Sequence, residues 1–462
     1  MIPLTLKQIA DIVGGTTFGD ESQIINSAPV FDSRLAVKGS LFLALVGENS
    51  DGHDFIDDAI SHGATGLMTT KVVPGDGVVV NDVLLAVRAL ASYVRKQLPN
   101  LIVVGITGSN GKTTTKDLLA SILSSRAQCV ATKASFNNEL GAPITLLECD
   151  EKTKYCILEM GARHKGDIAA LCEMAKPNVG VVLRVGTAHL GEFGSVEKIA
   201  ETKGELIQAL APDAVAVLGT YDPHTKAMKS LHAGKIIYFG EDSHDDVRAA
   251  DIEMREARPH FDLVTPAGRD AVGMRLIGMH QVSNALAAAA VCTALEIPIE
   301  VIASGLSTAD LASKWRMQIN DVEELLIIND SYNANPESMK AGLDSLVLFA
   351  QERGGASWAF LGQMHELGSQ SDELHASVGA HAHQLGIDHL VIIGTRAFAA
   401  GIPAKSATTL HYCEDITQAL SLVSHFAPGD VVLVKASRSE HFETLSQGIE
   451  DSWKASQRED KK

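Results

Sequence analysis

The sequence predicts three α/β units: a small mixed N-terminal unit, a central phosphate-loop unit on a parallel sheet, and a C-terminal doubly wound unit. Three observations carry this. At about 150 residues per domain, a chain of 462 residues has room for three. Apolar strand-like runs alternate with helical patterns almost throughout, the signature of helices packed on parallel sheets. A β-branched strand also runs through a glycine turn into a Thr-rich helix start at residues 101–123.

The first unit is expected over residues 1–84. It holds the strand-like runs SLFLALVG, TGLMTT and GVVVN, with helices around IADIVGG and DFIDDAISHGA. Its opening, MIPLTLKQIADIVGG, lacks a basic stretch leading into a long apolar run and reads as an amphipathic helix, not a secretory signal. The second unit, 85–310, starts with the helical pattern VLLAVRALASYVRKQL and the buried strand LIVVGIT. It continues through strands at YCILEM, VGVVLRV and AVAVLG and closes on the Ala-rich helix HQVSNALAAAAVCTALE. The third, 311–462, repeats strand and helix through ELLIINDSY, SWAFLG, HLVIIG and DVVLVKAS, which predicts a Rossmann-like sheet.

Composition narrows the function classes. Hydrophobic residues make up 45% of the chain, too many for a disordered protein. The formal net charge of −18 repels phosphate backbones and anionic lipid, which disfavours nucleic acid and membrane partners. No apolar segment approaches the roughly 20 residues that span a bilayer. Cys129, Cys149, Cys156, Cys172, Cys292 and Cys413 form no CxxC pair, so reduced thiols and a cytoplasmic location are expected.

The strongest chemical signal is LIVVGITGSNGKTTTKDLLASIL. A strand entering a glycine turn and then a helix points successive backbone N–H groups and the helix N-terminus at one anion. Thr107, Gly108, Ser109, Asn110 and Gly111 form the turn, where glycines permit close backbone approach. Lys112 can reach the β- and γ-phosphates, and the Thr113 hydroxyl suits Mg²⁺. Ile106 stands where the general pattern has its first glycine. The bland alternative, an ordinary junction with a surface lysine, does not account for strand, glycines and helix together, and ATP or GTP binding is expected.

Three further residues can complete a divalent-metal site. Glu159 ends the strand YCILEM, so its carboxylate emerges beside the phosphate loop. His189 follows VGVVLRV in GTAHLGEFGS, and Lys203 lies in EKIAETKGEL. Taken alone, such a Glu is often merely solvated, such a His a cap or a core hydrogen-bonder, and such a Lys a surface residue.

Together with SFNNELGAPITLL, LEMGARHKGDI, GMHQVSNALAAAA and NDSYNANPESM, these stretches resemble the Mur ligase family of bacterial cell-wall synthesis, in its order and approximate spacing. That family's nucleotide loop also lacks the first glycine. The form NDSYNANPESM resembles its D-alanyl-D-alanine-adding branch, and the similarity runs from DSRLAVKGSLFLALVGENSDGHDF to LVKASRS. Arg184, Gln363 and Ala436 depart from the usual asparagine, aspartate and glycine of the family.

The resemblance implies that ATP phosphorylates the terminal carboxylate of a UDP-N-acetylmuramoyl-tripeptide and that the amine of D-Ala-D-Ala attacks the acyl phosphate. It implies two Mg²⁺ ions, one held by Thr113 and Glu159, the other organised by Glu159, His189 and a carbamylated Lys203. Arg316 would contact the γ-phosphate, Asn284 would sit near the adenine, Asp330 at the ribose and Asn335 beside the base. Asp330 and Asn335 read equally as turn formers. Ser33, Arg34, Asp51 and His53 resemble uridine-diphosphate contacts, though they also read as loop polarity around Gly47 and Gly52. Lys435, Ser437 and Arg438 resemble acceptor-site groups. The expected partners are these small molecules, and the expected chain is a monomer. Two rivals remain: a sibling ligase that adds a single amino acid, or glutamates to folate, and a non-catalytic nucleotide-binding protein. The second would need the phosphate loop but not Glu159, His189 and Lys203.

Overall fold

The computed structural model describes the chain apart from residues 48–49, 134–135, 189, 311–312 and 460–462. Local chemistry sets the first helix. Thr5 and Gln8 form a reciprocal capping box at the start of Leu6–Val13, and Gly14 ends it in the left-handed conformation (φ 68°). Beside it lies a four-stranded sheet in the order Thr16–Phe18, Gly77–Val79, Gly66–Thr69, Leu41–Leu43. Its first pair is antiparallel and the others parallel, the mixed architecture expected of the N-terminal unit.

Helix Val83–Gln97 buries Val87, Leu90 and Val94 in one core that includes Ile9 and Met68 on one side and Leu146 and Cys156 on the other. The N-terminal sheet and the central sheet therefore share an apolar core through this helix. All six cysteines are free thiols, and no described helix is long and apolar enough to cross a membrane.

The central sheet has nine strands. Six of them, in the order Lys235–Gly240, Val215–Gly219, Val179–Val182, Ile102–Thr107, Tyr155–Glu159, Cys129–Ala131, are parallel, the four central ones largely buried. Lys112–Ser124, Gln281–Ala294 and Ile299–Thr308 cover one face. The remaining three strands amend the expectation of a purely parallel sheet. Val247–Arg255 joins Lys235–Gly240 in parallel, and Arg258–Thr265 and Gly268–Gly273 then fold back as an antiparallel meander. Along Arg258–Thr265 burial alternates residue by residue, with Pro259, Phe261, Leu263 and Thr265 inward, as a strand covered on one face requires.

The C-terminal sheet runs Gln318–Val322, Leu325–Asn329, Val431–Lys435, Ser357–Leu361, His389–Ile393, Thr409–Cys413. All its pairings are parallel except the first, a hairpin whose two turn residues, Glu323 and Glu324, both take positive φ (45° and 68°). Leu343, Leu346 and Val378 pack on one face, and Leu445, Ile449 and Trp453 on the other. This is the doubly wound arrangement expected. In both large sheets, the C-terminal strand ends of Ile102–Thr107, Tyr155–Glu159, Leu325–Asn329 and Val431–Lys435 lead into the segments that line one crevice.

Candidate active site

The phosphate loop begins where strand Ile102–Thr107 ends on a buried Thr107. Gly108 and Gly111 have φ of 154° and 84°, a region that favours glycine. At Gly111 a Cβ would collide with the Asn284 side chain, so this glycine also lets helix Gln281–Ala294 approach the loop. Helix Lys112–Ser124 follows directly, its first N–H groups facing the crevice.

Four side chains converge there. The Thr113 hydroxyl donates to Glu159 Oε2 at 2.9 Å and accepts from Arg316 Nη2 at 3.0 Å. Asn137 Nδ2 donates to Glu159 Oε1 at 2.8 Å, which leaves this 1%-exposed carboxylate bonded at both oxygens. The Arg316 guanidinium lies 4.0 Å above the centre of the Tyr332 ring. Lys112 Nζ rests on Gly108 O at 2.9 Å, and burial lowers its pKa, with Glu159 opposing and Arg316 adding to that shift.

These groups line a cavity of about 1240 Å³ between the central and C-terminal sheets. Ser109, Asn110 and Gly111 contribute to its wall, as do Lys203, Asn284, Asp330, Asn335, Lys435, Ser437 and Arg438. Lys203 is buried, and its pKa is lowered to about 7, first by burial and then by the charge of Lys112. His189 lies outside the described residues. Among the described residues no cluster of three or more His, Cys, Asp or Glu gathers. Glu159 thus supplies the carboxylate beside the phosphate loop, with Thr113 as its neutral oxygen partner.

The C-terminal residues have more internal work than the sequence suggested. Asn335 caps helix Pro336–Arg353 through Ser338 N at 2.9 Å, while its amide nitrogen donates to Asn110 Oδ1 of the phosphate loop. Asp330 accepts from Met317 N at 3.1 Å and pairs with Lys435 at 2.5 Å. Lys435 also meets Asn333 O at 3.0 Å and Asp330 O at 3.3 Å, so three acceptors surround an ammonium that was expected to face the acceptor. Its side chain is 2% exposed, and removing one partner of such a pair strands the other charge. Lys435→Met is therefore expected to cost about 3–5 kcal/mol of stability, measured by urea unfolding. Ser437 Oγ accepts from His365 N at 2.9 Å. Arg438 lies 4.5 Å over the Trp315 ring and pairs with Glu443 at 2.8 Å.

The four N-terminal candidates do not line this cavity. Arg34 is mostly exposed and pairs with Asp32 at 2.7 Å, holding that carboxyl at about 2. Asp51 bonds His53 at 2.5 Å, and His53 Nε2 accepts from Thr70 N at 3.2 Å. Ser33 is buried in the short helix Ser33–Leu35. Two cavity residues escaped the sequence reading as individuals. Asn137 sits in the quoted SFNNELG segment, and Tyr332 within NDSYNANP, but only their pairing with Glu159 and Arg316 gives them a task.

The comparisons with known proteins agree with this geometry. A model of the Mur ligase middle domain matches residues 106–292, and one of the Mur ligase glutamate ligase domain matches 315–438. The UDP-N-acetylmuramoyl-tripeptide–D-alanyl-D-alanine ligase of Mycobacterium tuberculosis is 41% identical, over 95% of this chain and 96% of its own. The crystal structure of MurF from Acinetobacter baumannii superposes with a TM-score of 0.87 at 33% identity, covering 97% of this chain and 99% of that one. MurF ligase from Thermotoga maritima in complex with ADP gives 0.80 at 29% identity, over 93% and 98%. With a phosphate loop, a buried carboxylate and an arginine from the facing unit meeting at one hydroxyl, and with relatives matched end to end, the chain belongs to the Mur ligase family.

Proposed function

We infer that this chain is an ATP-dependent carbon–nitrogen ligase that joins D-Ala-D-Ala to a UDP-N-acetylmuramoyl-tripeptide in peptidoglycan precursor synthesis. The observation that carries the reading is the Thr113 hydroxyl, shared between Glu159 of the central sheet and Arg316 of the C-terminal segment. Such a meeting point brings the C-terminal unit onto the phosphate loop of the central one.

The chemistry follows from what these groups can do. A carboxylate is a poor electrophile, so its oxygen first attacks the γ-phosphorus of ATP, and ADP departs. The amine of D-Ala-D-Ala then attacks the acyl carbon, loses a proton, and expels phosphate. Lys112 and Arg316 bring positive charge to the transferred phosphoryl group, and the backbone N–H groups of 108–113 cradle the phosphates. Thr113 and Glu159 offer buried oxygen donors of the kind a hard cation prefers, and they would hold one Mg²⁺. Bound Mg²⁺ neutralises the β- and γ-phosphate oxygens. We further read Lys203, as a carbamate, with Glu159 and His189 as the donors for a second ion. Asn284, Asp330 and Asn335 serve the nucleoside, the last two held by the turn that Lys435 braces. Closure excludes water from a labile acyl phosphate.

On the substrate side, we assign Ser33, Arg34, Asp51 and His53 to the uridine diphosphate, with Ser437 and Arg438 beside the acceptor. The units divide as 1–84 for the UDP-precursor, 85–310 for ATP and 311–462 for the acceptor and closure. A chain consuming ATP and soluble nucleotide precursors works in the cytoplasm, and we take it to act as a monomer. A phosphate-release assay over a panel of UDP-muramoyl peptides and amines tests the reading. Release with the tripeptide precursor is expected to stay slow until D-Ala-D-Ala is added. Faster turnover with lysine, diaminopimelate or glutamate would overturn the acceptor assignment.

A further inference from the structure

After strand Val179–Val182 the backbone is hydrogen-bonded within the central unit at Val185 and Gly186, and Leu190 and Phe193 pack into that unit's core with Val182 and Ile199. Val185 N donates to Asp222 Oδ2 at 2.9 Å and Gly186 N to Ser109 Oγ at 2.8 Å. At Thr187 and Gly191 the C-terminal segment supplies the acceptors. Glu337 Oε1 accepts from Thr187 N at 3.0 Å and from Thr187 Oγ1 at 2.9 Å. Glu366 O accepts from Gly191 N at 2.8 Å. The Gly191 contact requires a glycine, and the Thr187 contact is tight beside one. A Cβ on Gly191 would come within 2.6 Å of Gly368 N and 2.9 Å of Glu366 O, and one on Gly186 within 3.1 Å of Glu337 Oε1. In sequence the two contacts fall two residues before and two after His189.

Glu337 is placed for this by its own helix. Asn335 caps Pro336–Arg353 and also touches the phosphate loop, so the first helical turn faces the central unit. We propose that Glu337 is a positioning residue for the ligase reaction: as an acceptor for Thr187 it ties the placement of Thr187 to closure of the C-terminal unit. The inference rests on the ligase reading above. When the units part, the N–H and O–H of Thr187 and the N–H of Gly191 lose their partners together, and Thr187 is freed to move. When they close on nucleotide, all three bonds form at once. Glu337 thereby makes the placement of Thr187 a consequence of closure, without touching substrate.

The test is a double-mutant cycle, read by steady-state kinetics and by hydrogen exchange at the Thr187 amide. Glu337→Ala is expected to lower kcat by roughly 10- to 100-fold, with KM for the UDP-precursor changed by less than about twofold, and to lose Thr187 protection. Glu337→Gln keeps an acceptor oxygen and is expected to retain both. Thr187→Val covers the case of a poorly folded Ala variant, and adding it to Glu337→Ala is expected to cause little further loss, since one contact is removed twice. Unchanged kcat and protection in Glu337→Ala, a Gln variant as impaired as Ala, or additive losses would each overturn the proposal. Absence of ligase turnover in the wild-type chain would sink the ligase reading instead, while exchange at Thr187 would still decide the role of Glu337.

Discussion

Lys112→Ala is expected to lower turnover by roughly 10³-fold or more while UDP-precursor binding, followed by calorimetry, stays nearly unchanged. Lys112 is the first residue of the phosphate-loop helix and is half-buried, and this partial loss of water lowers its pKa. Its ammonium donates to Gly108 O, a weak neutral acceptor compared with a phosphoryl oxygen. Its interaction therefore strengthens as negative charge moves onto the transferring group, the condition for accelerating the chemical step instead of merely binding substrate. None of the N-terminal candidates lines the cavity that holds Lys112, which is why precursor binding should survive. Wild-type turnover in Lys112→Ala would remove this lysine from the reaction.

The parts of this site that were legible in the sequence share one property: they are encoded within a few consecutive residues. The phosphate loop is one continuous string, and the position of Glu159 follows from its place at the end of an apolar strand. The parallel strands were equally readable, because a strand buried on both faces is a short apolar run. The meander Val247–Gly273 was not, since half its residues face solvent and its Arg, Asp and Glu content hides the alternation. Tertiary pairing hid the rest. Lys435 was readable only as a group resembling the acceptor site, and its ion pair with Asp330, 105 residues away, is visible in neither segment alone. Glu337 stands in a first helical turn, where acidic residues are common, and only the approach of Thr187 distinguishes it.

Lys203→Arg is expected to be nearly inactive, which a plain surface or phosphate-pairing lysine would not predict. An ammonium cannot ligate a cation, having no lone pair to give, so Lys203 can serve a metal only after chemical change. Addition of CO₂ needs the neutral amine. Burial and the nearby charge of Lys112 lower the Lys203 pKa from 10.5 to about 7, so a large neutral fraction exists near neutral pH and the carbamate can form. The product carries a negative charge and two oxygens, matching the preference of Mg²⁺, and Arg cannot form it because it stays protonated. The sign of the pH effect follows. Below about pH 7 the amine is protonated and carbamate formation fades, so activity in bicarbonate-containing buffer should fall with acidification, and activity lost in CO₂-depleted buffer should recover on adding bicarbonate at higher pH. In the unmodified chain the folded pKa lies below the unfolded one. The unfolded state therefore binds more protons between about 7 and 10.5, and stability should rise with pH across that window. A Lys203→Met variant should lack that rise in urea unfolding. Lys203→Ala should be nearly inactive and partly restored by acetate or formate, small carboxylates that fill the gap. Full activity in Lys203→Arg, or an unmodified Lys203 in a high-resolution map of active enzyme, would rule the carbamate out.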